Sequence, residues 1–189
     1  MNFFRQALTG LRVLVVMTVV VGIAYPVVIW GVGQIAFKQQ AEGSLITNGG
    51  AVVGSTLIGQ TFAEDQWFAS RPSAGDYDAL ASAGTNAGPS DTDLLAEIDK
   101  RRQDIAAREG VAPSDVPPDA VTTSASGLDA YISPEYARIQ EARVARVRKL
   151  DPAKVASLVA AASSGRSLGF LGEPRVNVVK LNASLAAAG

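Results

Sequence analysis

Residues 13–30 read VLVVMTVVVGIAYPVVIW, and no charged residue occurs between positions 13 and 37. A helix crosses the hydrocarbon core of a bilayer with about 20 apolar residues, so this run is long enough. Its many β-branched residues would suit a strand in water. In lipid, however, the backbone must satisfy its own hydrogen bonds, and an isolated segment does so only as a helix. The run therefore predicts a transmembrane helix over residues 13–37. Pro26 should kink it or free one carbonyl, and Tyr25 and Trp30 suit an interfacial belt. Two other readings compete. A cleaved signal peptide would also carry basic residues such as Arg5 and Arg12 ahead of its apolar stretch, but that stretch runs only ~7–15 residues. A buried helix of a soluble domain would keep a polar face, which is missing here.

The flanks set an orientation. Residues 1–12 hold Arg5 and Arg12 and no acid, whereas Lys38 on the far side is soon offset by Glu42. The positive side stays in the cytoplasm. Residues 1–12 are thus expected inside, residues 38–51 as a polar connector, and residues 52–189 as a domain outside the cytoplasmic membrane. Of the chain's 17 basic residues only Arg5 and Arg12 precede Lys38, and all 18 acidic residues follow it, which leaves the exported part at net −3.

Beyond the connector, residues 52–58 (VVGSTLI) read as a strand broken by Gly54. Residues 59–91 have no long period of either kind and are rich in Gly, Ser, Pro and aromatic residues. Loops of that length in a compact domain are uncommon and often functional; Phe62, Trp67, Phe68 and Tyr77 predict a packed one with a small core of its own. Residues 91–109 read as a helix capped at Ser90 or Asp91 and ended by Gly110. Its expected apolar stripe is Leu94, Leu95, Ile98, Ile105 and Ala106, with Lys100, Arg101 and Arg102 on the solvated face. Ser133 and Pro134 open a second helix to about Leu150. There Tyr136, Ile139, Val144 and Val147 should point inward, while Arg143, Arg146, Arg148 and Lys149 suit the dipole. Asp151 and Pro152 open a third helix. Residues 176–181 (VNVVKL) read as a strand and 182–188 as a short terminal helix. The fold class is therefore an α+β soluble domain anchored by one N-terminal transmembrane helix.

Composition narrows the chemistry. With no cysteine and no histidine, disulfides, thiolate zinc sites and Ser-His or Cys-His nucleophile pairs cannot be built from this chain. A net charge of −1 gives no nucleic-acid footprint. There is no G-x-x-x-x-G-K-[ST] phosphate loop and no dinucleotide fingerprint. Gly165, Gly169 and Gly172 mark turns. The acid pairs Asp76/Asp78 and Asp91/Asp93 lack the glycine and ligand count of a calcium loop. No catalytic or metal residue is singled out. Thr18, Gly22 and Pro26 recur every four residues and would give the membrane helix one small-residue side for a neighbouring helix.

Several ordered segments carry a resemblance. They are Gly59-Gln60-Thr61-Phe62, Trp67-Phe68-Ala69-Ser70-Arg71-Pro72-Ser73-Ala74 and Gly84-Thr85-Asn86-Ala87-Gly88-Pro89. Next come Ser124-Ala125-Ser126-Gly127-Leu128-Asp129, Ile132-Ser133-Pro134 with Gln140 and Arg143, and Leu171-Gly172-Glu173-Pro174-Arg175-Val176-Asn177-Val178 with Leu181-Asn182. Behind one N-terminal helix, this set resembles the C subunit of the Kdp potassium-transporting ATPases. One departure stands out: the family usually has proline after Asp129, where this chain has Ala130-Tyr131.

The resemblance implies an accessory, non-catalytic subunit of a high-affinity potassium pump in a bacterial cytoplasmic membrane. Its implied partners are a channel-like potassium-binding subunit, a P-type ATPase subunit, a small single-span subunit and the lipid bilayer. ATP and potassium would be handled by the complex, and no cofactor is assigned to this chain. The implied role is assembly, together with raising the ATP affinity of the ATPase subunit as a catalytic chaperone, or guarding the outer potassium entrance. Partner-contact or structural positions are then Gly22, Pro26, Arg71, Pro72, Ser73, Asn86, Gly88, Pro89, Asp129, Gly172, Glu173, Pro174, Arg175 and Asn177. A faint likeness of residues 124–127 to the ABC signature makes Ser126, Gly127 and Gln140 candidate nucleotide contacts. The alternative function is a membrane-tethered exported enzyme that uses carboxylates and serines.

Overall fold

The computed structural model describes residues 2–188. The chain divides into two compact units, one up to Ser44 and one from Leu45 onward.

The first unit is helical. Helix α1 (Phe3–Val19) runs through a π-helical turn (Val20–Ala24) into α2 (Tyr25–Ala36), and α3 (Lys38–Ala41) is a short turn after it. The span Phe3–Ala36 is 34 residues, long and apolar enough to cross a membrane. The π turn follows from Pro26. A proline lacks the N–H that would bond the Gly22 carbonyl, and its ring crowds that carbonyl. Widening the turn relieves the clash, and the Tyr25 N–H bonds instead to the Val20 carbonyl, five residues back.

The second unit opens with an antiparallel hairpin, β1 (Leu45–Asn48) and β2 (Ala51–Ser55). Gly49 and Gly50 form its turn at φ +56° and +84°, the two positive angles that a two-residue turn of this twist requires. Thus β1 lies within residues 38–51, which were expected as a connector, and the compact unit begins seven residues before position 52. The signal was the Asn48-Gly49-Gly50 turn.

Helix α4 (Thr92–Glu109) starts where Asp91 accepts hydrogen bonds from the N–H groups of Asp93 and Leu94, and ends at Gly110 with φ +70°. Leu95, expected on its apolar stripe, is exposed. A 3-10 turn (Pro113–Asp115) and α5 (Pro118–Val121) lead to β3 (Tyr131–Ile132). Helix α6 (Pro134–Arg148) is capped by Ser133, and α7 (Pro152–Ala162) by Asp151. Val147 of α6, expected inward, is exposed.

Strand β4 (Ser163–Ser164) and β5 (Arg175–Asn177) complete a three-stranded antiparallel sheet in the order β3-β5-β4. The strand expected over 176–181 stops at Asn177. Its side chain accepts from the Lys180 N–H and opens α8 (Val178–Ala186), so a cap overrides the β-branched run that follows. The core lies where α6, α7, α8 and β5 meet, and Phe68, Val144, Val155, Val176, Val178, Leu181 and Leu185 are fully buried there. The aromatic residues of the long loop do not form a separate core: Phe68 enters this one, and Phe62 and Trp67 pack against it.

Candidate functional site

Two polar arrangements organise the loops of the domain. The first is buried. Residues 65–69 run without a strand partner, yet polar side chains satisfy their backbone. The Asn182 carboxamide accepts from the Phe68 N–H at 3.0 Å and donates to the Phe68 carbonyl at 2.9 Å. Gln140 does the same for Ala69, accepting at 2.7 Å and donating at 3.4 Å. Each carboxamide stands in for the neighbouring strand that a sheet would supply.

Arg143 completes the clamp. Its guanidinium donates to the carbonyls of Trp67, at 3.0 Å, and Asp65, to the Gln140 oxygen at 2.9 Å, and to both carboxylate oxygens of Glu109 at 3.0 and 2.9 Å. The Arg143 and Glu109 side chains are 2% and 1% exposed. Arg143, expected with Arg146, Arg148 and Lys149 to suit the helix dipole, is instead held by specific buried partners. It is a buried ion-pair partner that fixes a loop 76 residues away in sequence. A buried charge must be paired in this way to be tolerated. The Tyr136 phenol packs nearby, and its burial raises its pKa far above the ordinary range.

The second arrangement is an open groove of about 470 Å³, lined by Arg71, Asp129, Tyr131, Glu173, Pro174, Arg175 and their neighbours. Five of the positions singled out in the sequence (Arg71, Asp129, Glu173, Pro174 and Arg175) thus meet here from three separate segments. Arg71 pairs with Asp129 at 3.1 Å and donates to the Thr122 carbonyl at 3.3 Å, while its Nε is buried without a partner. Arg175 lies over the Tyr131 ring, 4.6 Å from its centre, within the range of a cation–π contact. Glu173 pairs with Arg166 at 2.8 Å. Asp119 accepts from both the N–H and the hydroxyl of Ser133 at 2.7 Å. The groove thus holds the Arg71–Asp129 pair and Glu173 beside the Tyr131 ring, with Arg175 lying over that ring. Of its hydroxyls, that of Ser133 is already committed to Asp119 and to the Tyr136 N–H.

The remaining singled-out residues lie elsewhere. Ser73 accepts from the N–H groups of Gly75 and Tyr77 and donates to the Gly127 carbonyl at 2.7 Å, next to Pro72. The Tyr77 hydroxyl donates to the Arg71 carbonyl at 2.8 Å, and burial raises its pKa. Ser126 and Gly127 sit in the turn that this loop packs against. The Ser126 carbonyl accepts from the Ser82 hydroxyl at 2.9 Å, and Gly127 has φ +68° where a Cβ would press on the Ala83 carbonyl. Gln140 is fully buried against the Ala69 backbone and Arg143. The three nucleotide candidates therefore hold loops in place and do not converge on one cavity. Asn177 donates to the Thr56 carbonyl at 2.7 Å, joining the hairpin to α8. Asn86, Gly88 and Pro89 precede α4, with the Gly88 carbonyl accepting from the Asp91 N–H, and Gly172 takes φ +78° in the turn before β5. Gly22 and Pro26 belong to the helical first unit. Among the described residues no cluster of three or more Asp and Glu is placed to hold a metal ion. Glu109 was not among the singled-out positions and no local pattern marks it; Asn182 appears in the resembling segments but was given no role.

The chain thus sets an α+β domain, whose polar side chains hold its loops and line a charged groove, after one long apolar helix. Residues 7–187 match the family described as K+-transporting ATPase, c chain. The chain is 51% identical to the potassium-transporting ATPase KdpC subunit of Kineococcus radiotolerans, over 99% of this chain and 96% of that one. It is 48% identical to that of Methylococcus capsulatus, over 98% of each chain, and 44% identical to that of Koribacter versatilis, over 96% and 94%. This chain belongs to the K+-transporting ATPase C chain family.

Proposed function

We propose that the chain is an accessory, non-catalytic subunit of a potassium-transporting ATPase complex, inserted by its N-terminal helix with residues 1–12 in the cytoplasm and the α+β domain outside. The observation that carries the topology is the charge asymmetry: Arg5 and Arg12 precede the apolar span, and every acidic residue follows it. Family membership supports the assignment to the complex. The partners are a channel-like potassium-binding subunit, a P-type ATPase subunit and a small single-span subunit. The helix packs among membrane segments, and the groove around Arg71, Asp129 and Arg175 takes a polar segment of a partner, so that the domain supports assembly at the outer potassium entrance. ATP is cytoplasmic, so any rise in the ATP affinity of the ATPase subunit passes through the helix.

Two measurements test this. Protease added outside sealed cells should cut the domain and spare the N terminus; cleavage only in inside-out vesicles reverses the topology. Arg71→Ala combined with Arg175→Ala should reduce co-purification of the channel-like subunit while the domain stays folded. Undiminished recovery of that subunit rules out the groove as a docking face.

A further inference from the structure

Residues 163–176 form a hairpin that leaves the body of the domain. Ser163 and Ser164 pair with Val176 and Arg175. Farther out, Ser167 and Leu171 exchange backbone hydrogen bonds at 2.8 and 2.9 Å, and the Arg166–Glu173 ion pair braces the two arms at 2.8 Å. At the tip, Leu168 and Gly169 take φ +54° and +83°. A leucine in the left-handed region is strained, and such strain persists only where the surroundings impose it. The tip is therefore a preformed turn. It presents Leu168, Phe170 and Leu171 at 83%, 70% and 51% exposure. None belongs to the core or packs against it.

We propose that this tip is a second membrane contact, with Leu168 and Phe170 entering the interfacial region of the bilayer that the N-terminal helix crosses. Two observations favour lipid over a protein partner. The apolar patch amounts to three side chains, well short of the ~800 Å² per partner that a stable protein interface buries. The chain carries its own membrane helix, and only eight residues separate Ala36 from Leu45. A tethered domain meets the bilayer at high effective concentration, so a few side chains suffice.

The chain has no cysteine, so Leu168→Cys takes a single environment-sensitive fluorophore. A second variant, Asp99→Cys on α4, reports an exposed site elsewhere, its side chain being 73% exposed. Both full-length proteins are placed in nanodiscs of phosphatidylcholine and phosphatidylglycerol, and quenching by doxyl-labelled lipid is read. The label at 168 should be quenched severalfold more than the label at 99, and adding Phe170→Asp should bring it down to the level at 99. Equal quenching at the two sites overturns the proposal. So does a label at 168 that doxyl lipid cannot reach but that becomes shielded when the other subunits are present, which makes the tip a protein contact.

Discussion

Replacing Arg143 with methionine probes the buried clamp directly. The side chain is 2% exposed and its pair partner Glu109 1%. Removing one member of a buried ion pair strands the other charge, at a cost of ~3–5 kcal/mol. The Asp65 and Trp67 carbonyls also lose their donor, at about 1 kcal/mol each, although water entering the gap offsets part of that. A total near ~4–6 kcal/mol is a large share of the ~5–15 kcal/mol that holds an ordinary domain folded. The assay is urea unfolding of the full chain in mild detergent, followed by Trp67 fluorescence in a Trp30→Phe background. Trp67 is well placed as reporter, because Arg143 binds its carbonyl and Arg148 lies over its ring at 4.9 Å. The double variant with Glu109→Leu should lose less than the sum of the singles, with a coupling of ~2–3 kcal/mol, since the stranded charge is gone. A single-variant loss below about 1 kcal/mol, or strictly additive losses, would show that the pair does not hold the loop.

Three further outcomes are expected. Gly59→Ala should lower the melting temperature markedly, because a Cβ there would collide with the Asp129 carbonyl and the Tyr77 ring; an unchanged melting curve contradicts the packing of the long loop on that turn. Tyr136 has a pKa raised by burial, so its contribution is intact below the unfolded value near 10 and is lost as pH rises above it. Tyr136→Phe should therefore flatten the fall in stability between about pH 10 and 12, and an identical alkaline slope in both proteins counts against this. Gly22→Leu meets open space apart from the Thr18 methyl at 3.9 Å, so the helix itself tolerates it. Weaker co-purification with the membrane subunits would then report a close neighbouring helix, and full recovery would exclude one.

The parts of the fold set by adjacent residues were legible in the sequence. Asp91, Ser133 and Asp151 cap their helices through side-chain bonds spanning two or three residues, and Gly110 ends α4, so local chemistry alone announces them. The strand read over residues 176–181 failed at Asn177, where one cap outweighs four β-branched or apolar neighbours. Tertiary context decided the arginines of α6. Arg143 and Arg146 look alike in a window of sequence, but only Arg143 faces Glu109 and the 65–69 loop. The groove was legible as a set of residues and not as a place. Arg71, Asp129 and Arg175 were picked out by resemblance, while their convergence depends on β3 pairing with β5. The clamp's hold on the 65–69 loop was not legible as a contact, because those partners lie 71 to 114 residues apart and carboxamides carry no periodic signal.

The wait imposed by that separation bears on how the protein is made. Phe68 cannot acquire its Asn182 partner until 114 further residues have been synthesised, which takes on the order of 6–23 s at ~5–20 residues per second. Throughout that interval Phe68 lacks both carboxamide bonds of Asn182, and for much of it the Trp67 carbonyl waits for Arg143, 76 residues further along the chain. A nascent chain in this condition invites mispairing, so the cell must either keep the segment covered or deliver the whole domain before it folds.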